Sequence, residues 1–412
     1  MGIRVAFDNS TIKNIHMKNW VLYFLLMLTI PAVAQDDDDD DNGAGEVIAN
    51  PYAFLDELKQ DRKKVYNIVY ILPIRDIKTN AIQRDALAYW EGVNVAMTKI
   101  KKLNAKFKIH VWDNQKSDSV TKSILNQLEN MYVDAIVAPF HTKQALIVAE
   151  YCKNNRIPMF LPQNPSDIIA KNNPFVFKLH TSKNRLFYDI YHSITENTAE
   201  KESEIFYVYD NENKFERKMA NYLKYASEKD GTNRIKFVPI VDSINFSKVV
   251  EKGKKNIFLI TQYKENQIND FLASLKSIDE VIQVYGHSSW ANSNKINKEN
   301  LAALNANLHT DFFLRKNSSD MDDIKKRYFE LTTDDIPSEA FLGYDLANYI
   351  TTVLDLYGKK FPIKIDKYTF KGTTTVIDMR PLYDASGRLL FYENTHKDIL
   401  KAFPEGWFKI ND

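Results

Sequence analysis

Short apolar runs of strand type alternate with helix-spaced apolar residues twice along this chain, and no other feature constrains the fold as much. Residues 67–72 (NIVYIL) form a continuous apolar run, as expected of a strand covered on both faces. Trp90, Val93, Met97 and Ile100 then recur at helical spacing. A second strand is expected at residues 108–112 (KIHVW), followed by a helix with Val120, Ile124, Leu125 and Leu128 on its inner face. Residues 135–140 read as a third strand, Ala145, Val148, Ala149 and Cys152 as a third helix face, and residues 158–161 as a fourth strand stopped by Pro162.

The same order restarts after Arg185. Strands are expected at residues 205–209, 235–240, 257–260 and 281–285, with a helix face at Phe215, Met219, Tyr222 and Leu223 after the first of them. Strand, helix, strand repeats need crossover connections, which imply parallel sheets with helices on both faces. The expected fold class is therefore α/β, with two doubly wound parallel-sheet lobes, and 412 residues suffice for both. In such sheets ligands bind beyond the carboxyl ends of the strands, so the informative residues follow Leu72, Trp112, Phe140, Leu161, Tyr209, Ile260 and Tyr285.

Composition narrows the function. Lys and Arg number 55 and Asp and Glu 54, so no basic excess exists to neutralise a phosphate backbone, and nucleic acid is not an expected partner. The eight His residues are dispersed without an H-E-x-x-H arrangement, and neither G-x-S-x-G nor G-x-x-x-x-G-K occurs. No enzyme class, cofactor or metal site is supported. His141 and His287 both follow expected strand ends, but with no third ligand a solute-contacting or surface role is favoured over zinc.

The amino-terminal segment has the pattern of a secretory signal peptide. After Lys18, residues 20–30 (WVLYFLLMLTI) are almost wholly apolar and lead into Pro31-Ala32-Val33-Ala34-Gln35, a small-residue cleavage pattern that places the cut after Ala34. The apolar run is shorter than the roughly 20 residues that span a bilayer. A periplasmic mature protein that does not span the membrane is expected, without a lipid anchor because no Cys follows the cleavage site. Cys152, the single cysteine, then has no intramolecular disulfide partner, and stability must come from core burial. Asp36 to Asp41 repel one another and read as a solvated spacer, with residues 35–64 as an acidic tether.

The ordered series NIVYILPI, ALAYWEGVNVAMTKI, FKIHVWDNQKSD, VDAIVAPFHTKQALIVAEYCKNNRIPMFLPQNPSDI, NPFVFKLHTS and AFLGYDLANYITTVL resembles the type I periplasmic substrate-binding proteins of the leucine, isoleucine and valine class, receptors of ABC transporters. The resemblance covers residues 65–357 and implies two lobes joined by a three-crossing hinge. The crossings are expected near residues 180–183, near Thr310 and near residues 361–364. Residues 65–182 plus 311–362 would form the first lobe, and residues 183–310 plus 363–412 the second.

The same resemblance implies a ligand site in the cleft. From the first lobe it would take His141, Thr142, Gln163, Asn164 and Ser166, where a helix amino terminus also offers free N–H groups to a carboxylate. Thr142 and Ser166 are equally suited to capping helices. From the second lobe it would take Phe215, His287 and Trp290, with Tyr263 also after a strand end. The acid that pairs with a ligand amine in the family has no clear counterpart; Asp210 and Glu265 are near its position. The implied function is capture of a small polar solute, amino acid-like or a short peptide, for an inner-membrane permease or sensor. The alternative is an envelope interaction module of the same fold, such as an activator of cell-wall synthases.

Overall fold

The computed structural model describes residues 50–55, 62–138, 140–163, 166–199, 201–229, 231, 233–240, 244–261, 264–313 and 319–410. The signal peptide, the aspartate run, Asn164 and Tyr263 lie outside the described residues. From Val65 the chain alternates β1 (Val65–Leu72), α1 (Arg84–Ile100), β2 (Lys106–Asp113), α2 (Asp118–Leu128), β3 (Ala135–Val137), α3 (Thr142–Asn155), β4 (Met159–Leu161) and β5 (Val176–Lys178). It continues through α4 (Lys183–Asn197), β6 (Ser203–Asp210), α5 (Lys214–Lys229), β7 (Ile235–Ile240), β8 (Lys255–Ile260), α6 (Glu265–Lys276), β9 (Ile282–Gly286), α7 (Lys298–Ala303) and β10 (Asn307–Thr310). Two helices follow, α8 (Ser319–Thr332) and α9 (Ser338–Tyr357), and then β11 (Thr369–Lys371), β12 (Val376–Tyr383), β13 (Leu389–Asn394), β14 (Asp398–Phe403) and β15 (Gly406–Lys409).

These strands form two sheets, one of order β11-β12-β13-β5-β4-β3-β1-β2 and one of order β15-β14-β10-β9-β8-β6-β7. The pairs from β13 to β2 and from β10 to β7 are parallel, as the repeated crossovers require. The α/β two-lobe fold class read from the sequence is therefore the observed one. Five of the eight residues of β1 are a continuous buried run, because helices cover both faces of the sheet.

Helix α9 begins at Ser338 and buries Leu346, Tyr349, Ile350, Val353 and Leu354. It crosses α1 at very close range. A Cβ on Gly92 of α1 would overlap the Ala340 carbonyl oxygen, and a Cβ on Gly343 of α9 would overlap the Tyr89 carbonyl oxygen. Each helix thus presents its glycine to the other's backbone.

The chain from Thr369 onward departs from expectation. Residues 369–394 belong to the first lobe and not the second: β13 pairs in parallel with β5, matching Tyr392 to Phe177, and their rings stack 4.4 Å apart. The third passage accordingly runs through residues 395–397 instead of 361–364, and only β14 and β15 return to the second sheet, both antiparallel. The tether also ends early. Tyr52 is buried against the first lobe and donates its hydroxyl to the Pro174 carbonyl at 2.8 Å, because its aromatic area outweighs the polarity of its neighbours.

Candidate ligand cleft and hinge

All three passages between the lobes leave from the carboxyl ends of parallel strands: β5, β10 and β13. The carboxyl edges of both sheets therefore adjoin the hinge, where a doubly wound sheet presents its ligand groups. On the first lobe, the Asp113 carboxylate that ends β2 accepts the amides of Ile74 at 3.0 Å and Gln115 at 2.9 Å, tying the ends of β1 and β2 together. Gln115 and Lys116 both take left-handed backbone angles, φ 53° and 54°, which bring Lys116 within 3.4 Å of Asp76. His141 faces this pair. Its pKa is lowered, first by burial and then by the Lys116 charge, so its imidazole is neutral near pH 7.

Thr142 is the first helical residue of α3 and is exposed; the cap position itself belongs to His141, which makes no side-chain capping bond. Ser166 precedes the short 3-10 turn Asp167–Ile169 and likewise makes no capping bond to it. Gln163 and Ser166 are half-buried at the end of β4. The next residue, Asp167, extends the site inward: its carboxylate meets the Lys178 ammonium and lies 2.5 Å from the Ser182 hydroxyl oxygen, whose single proton is directed to Glu393.

On the second lobe, Asn213 Oδ1 accepts the Phe215 amide at 3.0 Å and starts α5, which leaves Phe215 half-buried against a core cluster that Tyr209, Tyr222 and Tyr285 also border. The neighbouring Glu216 is buried. Its carboxylate accepts the Asp210 amide at 2.7 Å and the Asn213 side-chain amide at 3.1 Å, and burial raises its pKa. His287 follows β9, with its ring 6.4 Å from Phe187 and Nδ1 accepting the Ser289 amide at 3.1 Å, which places its proton on Nε2. Trp290 does not line the cleft. The short turn Ser288–Asn292 folds its indole back beneath Gly286, where it is 1% exposed in the second-lobe core. Asp210 and Glu265 are occupied locally, the first by the Glu212 amide and the second by Ser293 and Lys295.

Charge and hydroxyl contacts hold the three passages together. Asp311 on the second passage accepts the Thr181 amide at 2.8 Å and lies 3.2 Å from His180 Nδ1, both on the first. Burial opposes charge on both groups, but their mutual attraction outweighs it, raising the His180 pKa and lowering that of Asp311. Thr181 Oγ1 donates to the Asn394 carbonyl at 2.8 Å, and Glu393 Oε1 accepts both the amide and the hydroxyl of Ser182 at 2.5 Å. Thr375 Oγ1 donates to the Asp311 carbonyl at 2.5 Å, and the loop carrying it is held from α9 by Asp345, which accepts the amides and hydroxyls of Thr373 and Thr374. Asp167, Lys178, Ser182, Asp311 and Glu393 were not singled out from the sequence; the lysine and the glutamate that close the apolar runs FVFK and LLFYE are local signals for Lys178 and Glu393 alone.

Two parallel-sheet lobes joined by three such passages define the type I periplasmic binding fold, and comparison with known proteins agrees. A family model described as the receptor family ligand binding region matches residues 91–257. A protein described as a branched-chain amino acid ABC transporter from Rhodospirillum rubrum has a TM-score of 0.63 at 14% identity, covering 84% of this chain and 100% of that one. A branched-chain amino acid ABC transporter periplasmic ligand-binding protein from Burkholderia xenovorans LB400 gives 0.57 at 13% identity, covering 84% and 94%. An ABC transporter substrate-binding protein from Desulfitobacterium hafniense in complex with Leu gives 0.54 at 13% identity, covering 84% and 100%. No curated protein sequence matches the chain. Among the described residues no helix is long and apolar enough to cross a membrane.

Proposed function

We propose that this chain is an exported solute-binding protein that takes up one small polar molecule, amino acid-like or a short peptide, between its lobes and presents it to an ABC-transporter permease or sensor. The observation that carries the reading is the placement of His141, Thr142, Gln163 and Ser166 at strand ends of one lobe and Phe215 and His287 at strand ends of the other, both sets adjoining a three-passage hinge. The positive end of α3, where backbone amides point along the helix axis, suits a ligand carboxylate, and the aromatic surface at Phe215 suits an apolar side group. Two lobes that each hold part of a ligand favour the closed form by the difference in affinity between closed and open forms. The signal-type leader in residues 20–34 supports export.

The similar structure from Desulfitobacterium hafniense is in complex with Leu and that from Rhodospirillum rubrum is described as a branched-chain amino acid ABC transporter, which supports amino acids as the first solutes to try. A thermal-shift screen of the twenty amino acids, dipeptides and other small polar solutes, followed by calorimetry, tests the reading. A solute that raises the melting temperature and binds with one-to-one stoichiometry is the expected result. No shift from any of them, with an envelope protein captured instead, would replace the reading with that of an interaction module.

A further inference from the structure

Arg185 and Glu393 face each other across the hinge from opposite lobes. Arg185 lies in the first turn of α4, three residues past Ser182, and Glu393 lies near the end of β13, two residues before the third passage. Glu393 is fully buried, and its two carboxylate oxygens are treated differently. Oε1 accepts the Ser182 amide and hydroxyl at 2.5 Å, with Lys178 Nζ at 3.4 Å. Among the described residues none donates a hydrogen bond to Oε2, and the Arg185 Nη1 stands 3.9 Å from it. That separation is about 1 Å longer than a charge-assisted N–H···O bond.

A buried carboxylate oxygen without a donor is an unfavourable arrangement, because it has lost water and gained nothing in return. The donors on Oε1 fix the carboxylate from the first-lobe side and the passage, so Glu393 is not at liberty to swing toward Arg185. The remaining adjustment is on the side of α4, which moves with the second lobe. We infer that Arg185 and Glu393 form a clasp that sets the preferred angle between the lobes: the bond from Arg185 to Oε2 is completed at one angle and lost at others. Arg185 is a positioning residue in this scheme, acting through the hinge and not on the ligand. The inference rests on the reading of two lobes that move about these passages, but on no particular solute.

The test measures the interlobe distance directly, in the protein without added solute. Ser119→Cys and Glu212→Cys place spin labels at exposed positions of the first and second lobes, while the native Cys152 is buried and does not react. Pulsed electron resonance then compares this background with Arg185→Met, Glu393→Gln and the double variant. Each single change is expected to shift or broaden the distance distribution by more than about 2 Å, the scale of a domain rearrangement, and the double variant to go no further than the larger single effect. Arg185→Lys, which keeps the charge without the planar fork, should fall between. Identical distributions in the background and in Arg185→Met with an unchanged melting temperature would overturn the clasp, and so would effects that add in the double variant. If Glu393→Gln does not fold, Arg185→Met decides alone. Calorimetry with L-leucine is run separately, so a protein that binds no solute leaves the distance result standing.

Discussion

The Asp311 carboxylate reaches the Thr181 amide at 2.8 Å at a sequence separation of 130, joining the second passage to the first. The same carboxylate faces His180, whose pKa it raises while its own is lowered. For His180 the folded value is the higher one, so its contribution is complete below the ordinary 6.5 and is lost as pH rises through the raised value. For Asp311 the folded value is the lower one, so its contribution is present above the ordinary 3.8 and is lost as pH falls through the lowered value. Urea unfolding of wild type and His180→Gln should therefore differ most between these two ordinary values and converge above neutrality. A difference that stays constant from pH 5 to pH 9 would remove the ion pair from the account.

His309 behaves in the opposite sense. Burial in β10 pushes its pKa down to about 4, so the folded state refuses a proton that the unfolded state accepts. Its contribution is intact above the ordinary 6.5 and declines as pH falls toward the folded value, by about 3 kcal/mol in all. Chemical unfolding at pH 7 and pH 4.5 should show His309→Phe losing less stability over that interval than wild type does. Equal losses would place the acid sensitivity elsewhere.

The seam between α1 and α9 leaves no room for a methyl group. Gly343→Ala should force the helices apart and lower the unfolding free energy by about 1 to 3 kcal/mol, although alanine is the better helix former. Gly92→Ala meets the same seam from the other side, so the two changes together should cost less than their sum. A stabilised Gly343→Ala variant would show that the crossing is looser than this geometry.

Thr142 separates binding from stability. It stands within the first turn of α3 and not at its cap, so Thr142→Ala should change folding stability by no more than about 0.5 kcal/mol. Loss of a charge-assisted bond to a ligand anion should instead weaken affinity by roughly ten- to a hundredfold, about 1.5 to 3 kcal/mol. Thr142→Ser keeps the hydroxyl and should bind like wild type. Calorimetry with the solute found by thermal shift reads the comparison, and equal affinity in Thr142→Ala would remove this residue from the site.

The central strands of the alternating region are legible in the sequence because burial on both faces writes a continuous apolar run, as at residues 257–260, which are buried throughout. Strands β11 to β13 are not, since Thr369–Lys371 is short and half-exposed and Val376–Tyr383 mixes Asp378, Arg380 and Pro381 into its apolar pattern. That gap moved the expected third passage by more than thirty residues. Trp290 follows a strand end as an aromatic ligand contact would, but the direction in which a short turn sends its side chain is not written in that spacing. Lys178 and Glu393 are 215 positions apart, and a pairing at that distance leaves no local pattern to read.

The route of the last forty residues governs the order in which the molecule is assembled. Tyr392 joins Phe177, and Leu400 joins Leu308, so each sheet receives its closing strands long after the strands they pair with have been made. Until then β5 and β10 are unpaired margins, with backbone groups open to any passing strand. Contacts of such long sequence separation form slowly, because the loop between them must be closed before they return any energy. A newly made chain therefore carries two unfinished sheets at once, and β13 and β14, only three residues apart along the chain, complete both almost together.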